Sequence, residues 1–156
     1  MTVYVPVTVD TALNLRASGD ARNLLGYADG PGLRRWAGET QLDDEEAAYL
    51  ALNHAGVAAL LLDDSAPTRL VLAVDSEVNG TDELGTVTVL QVRWADVRSL
   101  FADDPAAAEA VLAARAAARS ADLAAALDSD ATARLLDAHD LLWYAPEELD
   151  ALSGRG

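Results

Sequence analysis

Helical and β-rich segments alternate along the chain in an order that restricts the fold more than any other feature. Four segments have the apolar or alternating pattern of strands, and they are residues 3–9, 69–75, 86–94 and 141–144. Helical patterns lie between the first and second strands and between the third and fourth. This order is the βαββαβ pattern of a ferredoxin-like α+β sandwich. We therefore predict an antiparallel sheet with strand order 4-1-3-2, in which the first and second strands have the same direction and the third and fourth run opposite to them. Helices cover one face, and the other face is open.

The segment 43–64 carries the clearest helical pattern. Its four initial acidic residues suit a helix N-terminus, and its apolar residues then recur at helical spacing. His54 lies on the apolar side of this helix. We therefore predict that His54 is buried and donates a hydrogen bond to a backbone carbonyl.

Three other segments give weaker signals. Five glycines in residues 19–40 favour a loop with a short helical turn. Residues 76–85 have turn chemistry, which predicts a hairpin between the second and third strands. Residues 97–102 fit either a strand or one face of a helix, and we favour the strand. Asp104 and Pro105 then open an alanine-rich helix.

Length and net charge indicate the number of domains and the classes of partner. A length of 156 residues with 51% hydrophobic content fits a single domain, 1–156, and the net charge is −15. That charge opposes binding to nucleic acid or to an anionic membrane surface. The N-terminus does not have the pattern of a signal peptide, and no apolar run reaches the length of a membrane span. We expect a cytoplasmic protein.

The chain contains no lysine, no cysteine and no isoleucine. A Schiff-base enzyme requires a lysine, a thiol enzyme requires a cysteine, and a phosphate-binding loop of the GxxxxGK type requires its lysine. Disulfides and thiolate metal sites are excluded as well. We expect no cofactor, and we favour a protein that is not an enzyme.

The predicted topology would gather acidic residues and one histidine at one sheet edge. The residues concerned are Asp10, Asp75, Asp96, His139 and Asp140. Asp10, Asp75, Asp96 and His139 are the candidate ligands for a divalent cation, and His139, Asp140 and Asp10 are the candidate catalytic groups. Aspartates at these positions also cap helices and close turns, and we favour that structural role.

Two further groups of residues are candidates for binding. Arg34, Arg35 and Trp36 form a basic and aromatic cluster in a glycine-rich loop, where an anion or a partner carboxylate would dock. Trp143 and Tyr144 point to opposite faces of the last strand, which makes Tyr144 a candidate contact on the open sheet face. The alternatives are a solvated loop that pairs with nearby acids and packing of both aromatic residues in the core.

Three stretches together resemble a known group of proteins. They are GYADGPGLRRW (26–36), DDEEAAYLALNHAGVAALLLDD (43–64) and HDLLWYA (139–145). The chain is similar here to an uncharacterised actinobacterial family of small acidic proteins. The resemblance implies a cytoplasmic protein of that lineage. It implies no reaction and no catalytic residues.

The sequence therefore favours a non-enzymatic protein-binding or regulatory module. Its partner would be another protein or a second copy of the chain in a homodimer. One alternative is an acidic protein that imitates nucleic acid and occupies a nucleic-acid-binding protein. The other is a metal-assisted hydrolase that uses the Asp/His cluster at the sheet edge.

Overall fold

The computed structural model describes residues 1–38, 41–62, 65–78 and 81–154. The described residues form six strands and seven α-helices. The strands are β1 (Thr2–Pro6), β2 (Asp20–Tyr27), β3 (Leu70–Asp75), β4 (Thr86–Arg93), β5 (Val97–Ala102) and β6 (Leu142–Tyr144). The helices are α1 (Val9–Ser18), α2 (Pro31–Trp36), α3 (Asp44–Leu60), α4 (Ala108–Ala117), α5 (Leu123–Leu127), α6 (Asp130–Ala138) and α7 (Leu149–Ser153).

All six strands belong to one antiparallel sheet with the order β4-β2-β1-β3-β5-β6. The predicted α+β class is confirmed. The strand order and directions differ from the ferredoxin-like prediction, because β1 and β3 are direct neighbours that run in opposite directions. The predicted hairpin between β3 and β4 does not form either, since β1 and β2 lie between these strands.

Strand β2 occupies residues that the sequence predicted as a loop. Its backbone is irregular, with a positive φ of 58° at Asn23. Gly26 lies so close to β1 that any side chain at this position would collide with Val3. The glycine that indicated a loop therefore allows β2 to approach β1, and it belongs to the sheet.

The sheet is curled. Strand β4 lies at one edge of the sheet and β5 lies four positions away, yet only a 3₁₀ turn, Trp94–Asp96, connects them. Four strand spacings in a flat sheet would be about 19 Å. Four residue steps reach about 14 Å at most. The sheet must therefore bend to bring β4 towards β5, and its inner side encloses a core closed by α1 and α7.

Helices cover both sides of the central strands. Helix α3 packs on the outer side, α4 and α5 pack against α3, and α6 packs against α4 and α5. Five consecutive residues of β3, Leu70 to Val74, are buried, which requires cover on both faces. The prediction of helices on one face and an open second face was therefore wrong for this part of the sheet. The exposed apolar residues of the sheet lie on its outlying strands β2, β4 and β6.

Local patterns predicted several elements correctly. Helix α3 begins with a capping box between Asp43 and Glu46, as its acidic start indicated. Residues 97–102 form the favoured strand, β5. Asp104 caps a 3₁₀ turn that leads into α4. The predicted end of the long helix at 63–64 lies outside the described residues, and none of the described helices has the length and apolar character to cross a bilayer.

Candidate functional site

The residues of the predicted Asp/His cluster lie at two opposite ends of the sheet. Because β1 and β3 are antiparallel, Asp10, which follows β1, and Asp75, which ends β3, are at opposite ends. The length of β3 separates these ends by about 17 Å. The register places His139 and Asp140 at the Asp10 end, before β6, and Asp96 at the Asp75 end, before β5. The prediction that one edge gathers all five was wrong because it assumed that the first two strands have the same direction.

Several of these carboxylates instead make structural contacts. Asp75 binds the N-terminal amine and Arg98, and the hydrogen bond from that amine is the main cause that lowers the pKa of Asp75. Asp96 pairs with Arg93 at 3.1 Å. Asp140 accepts a hydrogen bond of 2.9 Å from the Tyr49 hydroxyl. These contacts fit the alternative of structural aspartates.

Asp10 is not the N-cap of α1, because the side chain of Thr8 has that role and Asp10 lies in the first helical turn. His139 follows α6 and lies beside a groove that the alanines of α4 and α6 line. Across residues 1–38, 41–62, 65–78 and 81–154, no group of three or more His, Asp or Glu side chains is arranged to hold a metal ion.

A buried ion pair that the sequence did not predict lies at the Asp10 end of the sheet. Arg69 and Asp103 are 1% and 0% exposed. The Asp103 carboxylate accepts three hydrogen bonds of 2.7–2.9 Å from the backbone N–H and the guanidinium of Arg69. The guanidinium also donates to the carbonyl of His139 at 3.3 Å. His139 therefore contacts the ion pair through its backbone carbonyl.

The Arg69–Asp103 pair has the contacts of a structural element. It joins the start of β3 to the end of β5, and its link to His139 fixes the segment that leads into β6. Gly56 of α3 faces the pair, and a side chain there would press on Arg69 and on Leu141 at 3.1–3.2 Å. No solvent reaches these groups, so we assign the pair a structural role in which each charge neutralises the other.

The Arg34 side chain is fully engaged within the protein. It donates two hydrogen bonds to the Asp29 carboxylate, at 2.6 and 2.8 Å, and others to the Leu42 carbonyl and to Asp44. The hydrogen bond from Arg34 is the main cause that lowers the pKa of Asp29. Arg34 therefore joins α2 to the start of α3 and is not free to bind an external anion. Arg35 is exposed beside it.

Trp36 packs against the buried His54 side chain. The two rings meet edge to face with centroids 4.7 Å apart, and Trp36 remains 44% exposed. The Leu84 carbonyl lies 2.9 Å from Nδ1 of His54, and a carbonyl can only accept, so Nδ1–H donates. This geometry agrees with the predicted buried histidine. Nε2 has no hydrogen-bond partner among the described residues, and burial lowers the pKa of His54.

We predict that His54 makes stability depend on pH near neutrality. The pKa of folded His54 lies below its ordinary value of 6.5, so the unfolded chain binds the proton first as the pH falls. The contribution of His54 to the free energy of unfolding is therefore complete above pH 6.5 and is lost below it, with a slope of at most about 1.4 kcal/mol per pH unit. The hydrogen bond to the Leu84 carbonyl and the nearby Asp82 charge oppose this lowering of the pKa only partly.

Urea unfolding between about pH 7 and pH 5 measures this slope. The substitution His54→Gln should flatten it. The matched control His139→Gln changes the only other histidine of the chain and should keep it. Equal slopes in the two variants would contradict the prediction.

Strand β6 exposes the largest aromatic surface at the border of the sheet. Its register pairs Ala102 with Leu142, Phe101 with Trp143 and Leu100 with Tyr144. Trp143 is 62% exposed and Leu142 is 40% exposed. Tyr144 is half-buried and packs against the inner core. The predicted opposite orientation of the two aromatic residues agrees with the structure, but Trp143 is the exposed one and the binding candidate Tyr144 is not.

The comparisons with known proteins point to one family. The model of the Family of unknown function (DUF6912) matches residues 1–152. The chain belongs to this family. No curated protein and no solved structure matches it. Membership in DUF6912 confirms the part of the predicted resemblance that concerns an uncharacterised family.

DUF6912 has no assigned activity, so it transfers no role to any residue of this chain. The function has to be argued from the surfaces that the structure exposes. These surfaces include Leu142 and Trp143, two exposed apolar residues that are adjacent on an edge strand of the sheet. We call these two residues the β6 surface.

Proposed function

We propose that the chain is a non-enzymatic protein-binding module and that it binds its partner through the β6 surface. One observation carries this proposal: the edge strand β6 exposes a tryptophan and the leucine before it, one on each face of the strand. Large apolar groups exposed on one edge strand favour an interaction site, whereas single scattered ones do not.

The position on an edge strand strengthens this proposal. Edge strands of natural proteins usually carry charges, prolines or covering loops that prevent pairing with other chains. The three residues of β6 are all apolar or aromatic, and the first proline follows only at Pro146. Trp is also enriched among the residues that dominate binding energy at interfaces.

The rival functions have less support. The hydrolase hypothesis used a cluster of Asp10, Asp75, Asp96, His139 and Asp140, and the register separates Asp75 and Asp96 from the other three. Among the described residues, no three of these side chains are arranged to hold a metal ion. The hypothesis of a nucleic-acid imitation rests on the net charge of −15 alone.

A photo-crosslinking amino acid at position 143 tests the proposal in cells of the native host. We expect covalent adducts with a protein partner when the crosslinker replaces Trp143. The matched control places the same group at Leu90, which is 72% exposed on the other edge strand, β4, and we expect no adduct there. The absence of adducts at position 143, or equal adducts at both positions, would exclude the β6 surface as the binding site.

We also propose a cytoplasmic location and an actinobacterial lineage for the chain. The absence of lysine and isoleucine, together with many alanines, arginines and leucines, is typical of a GC-rich genome. Fractionation of host cells with an antibody against the chain would measure the location.

A further inference from the structure

We propose that the β6 surface binds an extended, positively charged segment of another protein, which pairs with β6 as a seventh strand of the sheet. This inference rests on the proposed function and specifies the partner. The proposed partner is a different protein and not a second copy of this chain.

The side chains of β6 suit strand addition. Successive side chains of a strand point to opposite faces, so Leu142 and Trp143 flank the edge on its two sides. Trp143 continues the row that Phe101 forms on the outer face, and Leu142 lies on the inner face. A strand beside β6 would place its own side chains about 5 Å from each of them. Backbone hydrogen bonds would supply affinity, and the two apolar contacts would supply selectivity.

The charge around β6 favours a positively charged segment. Exposed acidic residues stand on both sides of the strand, with Asp140 before it and Glu147 after it. Residues 103–154, which contain β6, carry eleven acidic residues and three arginines. This field attracts basic segments and speeds their association. We expect basic residues on both sides of a short apolar or β-branched core in the partner.

The same charges oppose pairing of β6 with a second copy. An antiparallel pair centred on Trp143 would bring the acidic segments on both sides of β6, which carry Asp140 and Glu147, towards those of the second copy. Like charges brought together in this way oppose association. Each chain also has a net charge of −15, which repels a second copy over a longer range.

Three labelled synthetic peptides test the inference. The first has alternating valine and threonine between terminal arginines (RVTVTVR), the second has glutamates in place of the arginines, and the third has a central proline. Fluorescence anisotropy with the full chain should show binding of the first peptide that weakens with salt. We expect affinities at least about tenfold weaker for the glutamate peptide and for the proline peptide, which cannot complete a strand ladder.

Variants of the chain place the binding at β6. Trp143→Ser and the charge variant Glu147→Gln should both weaken binding of the arginine peptide. Both residues are exposed, so the fold should be retained, which thermal unfolding verifies. Trp36→Ser is the matched control because Trp36 is an exposed tryptophan elsewhere on the surface, and its variant should bind like the original chain. Protection of β6 backbone amides from hydrogen exchange in the complex would support strand addition.

Several results would overturn the inference. Equal binding of the arginine and glutamate peptides would exclude the role of charge, and equal binding of the proline peptide would exclude an added strand. If sedimentation shows a dimer of the chain and Trp143→Ser dissociates it, the occupant of β6 is a second copy and not a different protein. Crosslinks from position 143 to a host protein without peptide binding would reject this inference alone. The absence of both the crosslinks and the peptide binding would reject the proposed function as well.

Discussion

Replacing Asp103 with leucine is expected to lower the free energy of unfolding by about 3–5 kcal/mol. The substitution removes the carboxylate that accepts three hydrogen bonds from Arg69. The guanidinium then remains in a site with 1% exposure and without its counter-charge. A buried charge without a partner is among the few causes of very large single-site effects. Urea unfolding at neutral pH measures the loss.

Two further variants define the origin of that loss. Asp137→Leu changes an exposed aspartate on α6, and its effect should remain within about 0.5 kcal/mol. The double variant Arg69→Met with Asp103→Leu removes both charges and should recover most of the stability, because well-packed apolar residues replace buried ion pairs at little cost. If Asp103→Leu lowers the free energy of unfolding no more than Asp137→Leu does, the Arg69–Asp103 pair does not stabilise the fold.

Replacing Leu72 with alanine should lower the free energy of unfolding by about 2–5 kcal/mol. Leu72 is fully buried in β3, at the centre of the sheet, where it contributes to the core that the curled sheet encloses. The loss combines the transfer free energy of the removed atoms with the cost of the remaining cavity. Chemical unfolding of the purified variant measures it, and the slope of the urea dependence should stay unchanged.

The control for Leu72 is the same substitution at Leu90. This leucine also lies on a strand of the sheet but is 72% exposed, so Leu90→Ala should change the stability by less than about 0.5 kcal/mol. Similar losses of stability in Leu72→Ala and Leu90→Ala would contradict the observed enclosure of the core by β3.

Local patterns in the sequence predicted single elements well and their pairing poorly. The apolar run at 69–75 became β3 and the acidic start at 43 became the cap of α3, because both signals are contained in a few neighbouring residues. Strand β2 was missed because Gly26 and Asn23 resemble loop residues locally. Its pairing with β4 depends on residues 59 to 73 positions away, which no local pattern contains.

The predicted cluster of five residues was divided for the same reason. Asp10 follows a correctly recognised strand and Asp75 ends another, and their separation depends on the relative direction of β1 and β3. That direction is set by the pairing of strands that are distant in the sequence, which no local pattern contains. The Arg69–Asp103 pair and the exposure of Trp143 also result from the packing of distant segments. His54 was predictable because a histidine on the apolar side of a strong helix has few other environments.

The short connection at Trp94–Asp96 has a consequence for the integrity of the molecule. It is the covalent link that closes the curved sheet around its inner core, since β4 and β5 are not neighbours in the sheet. A protease cut at this point would leave every pair of adjacent strands intact but would free one border of the sheet. Closure would then depend on α1, α7 and the enclosed side chains alone.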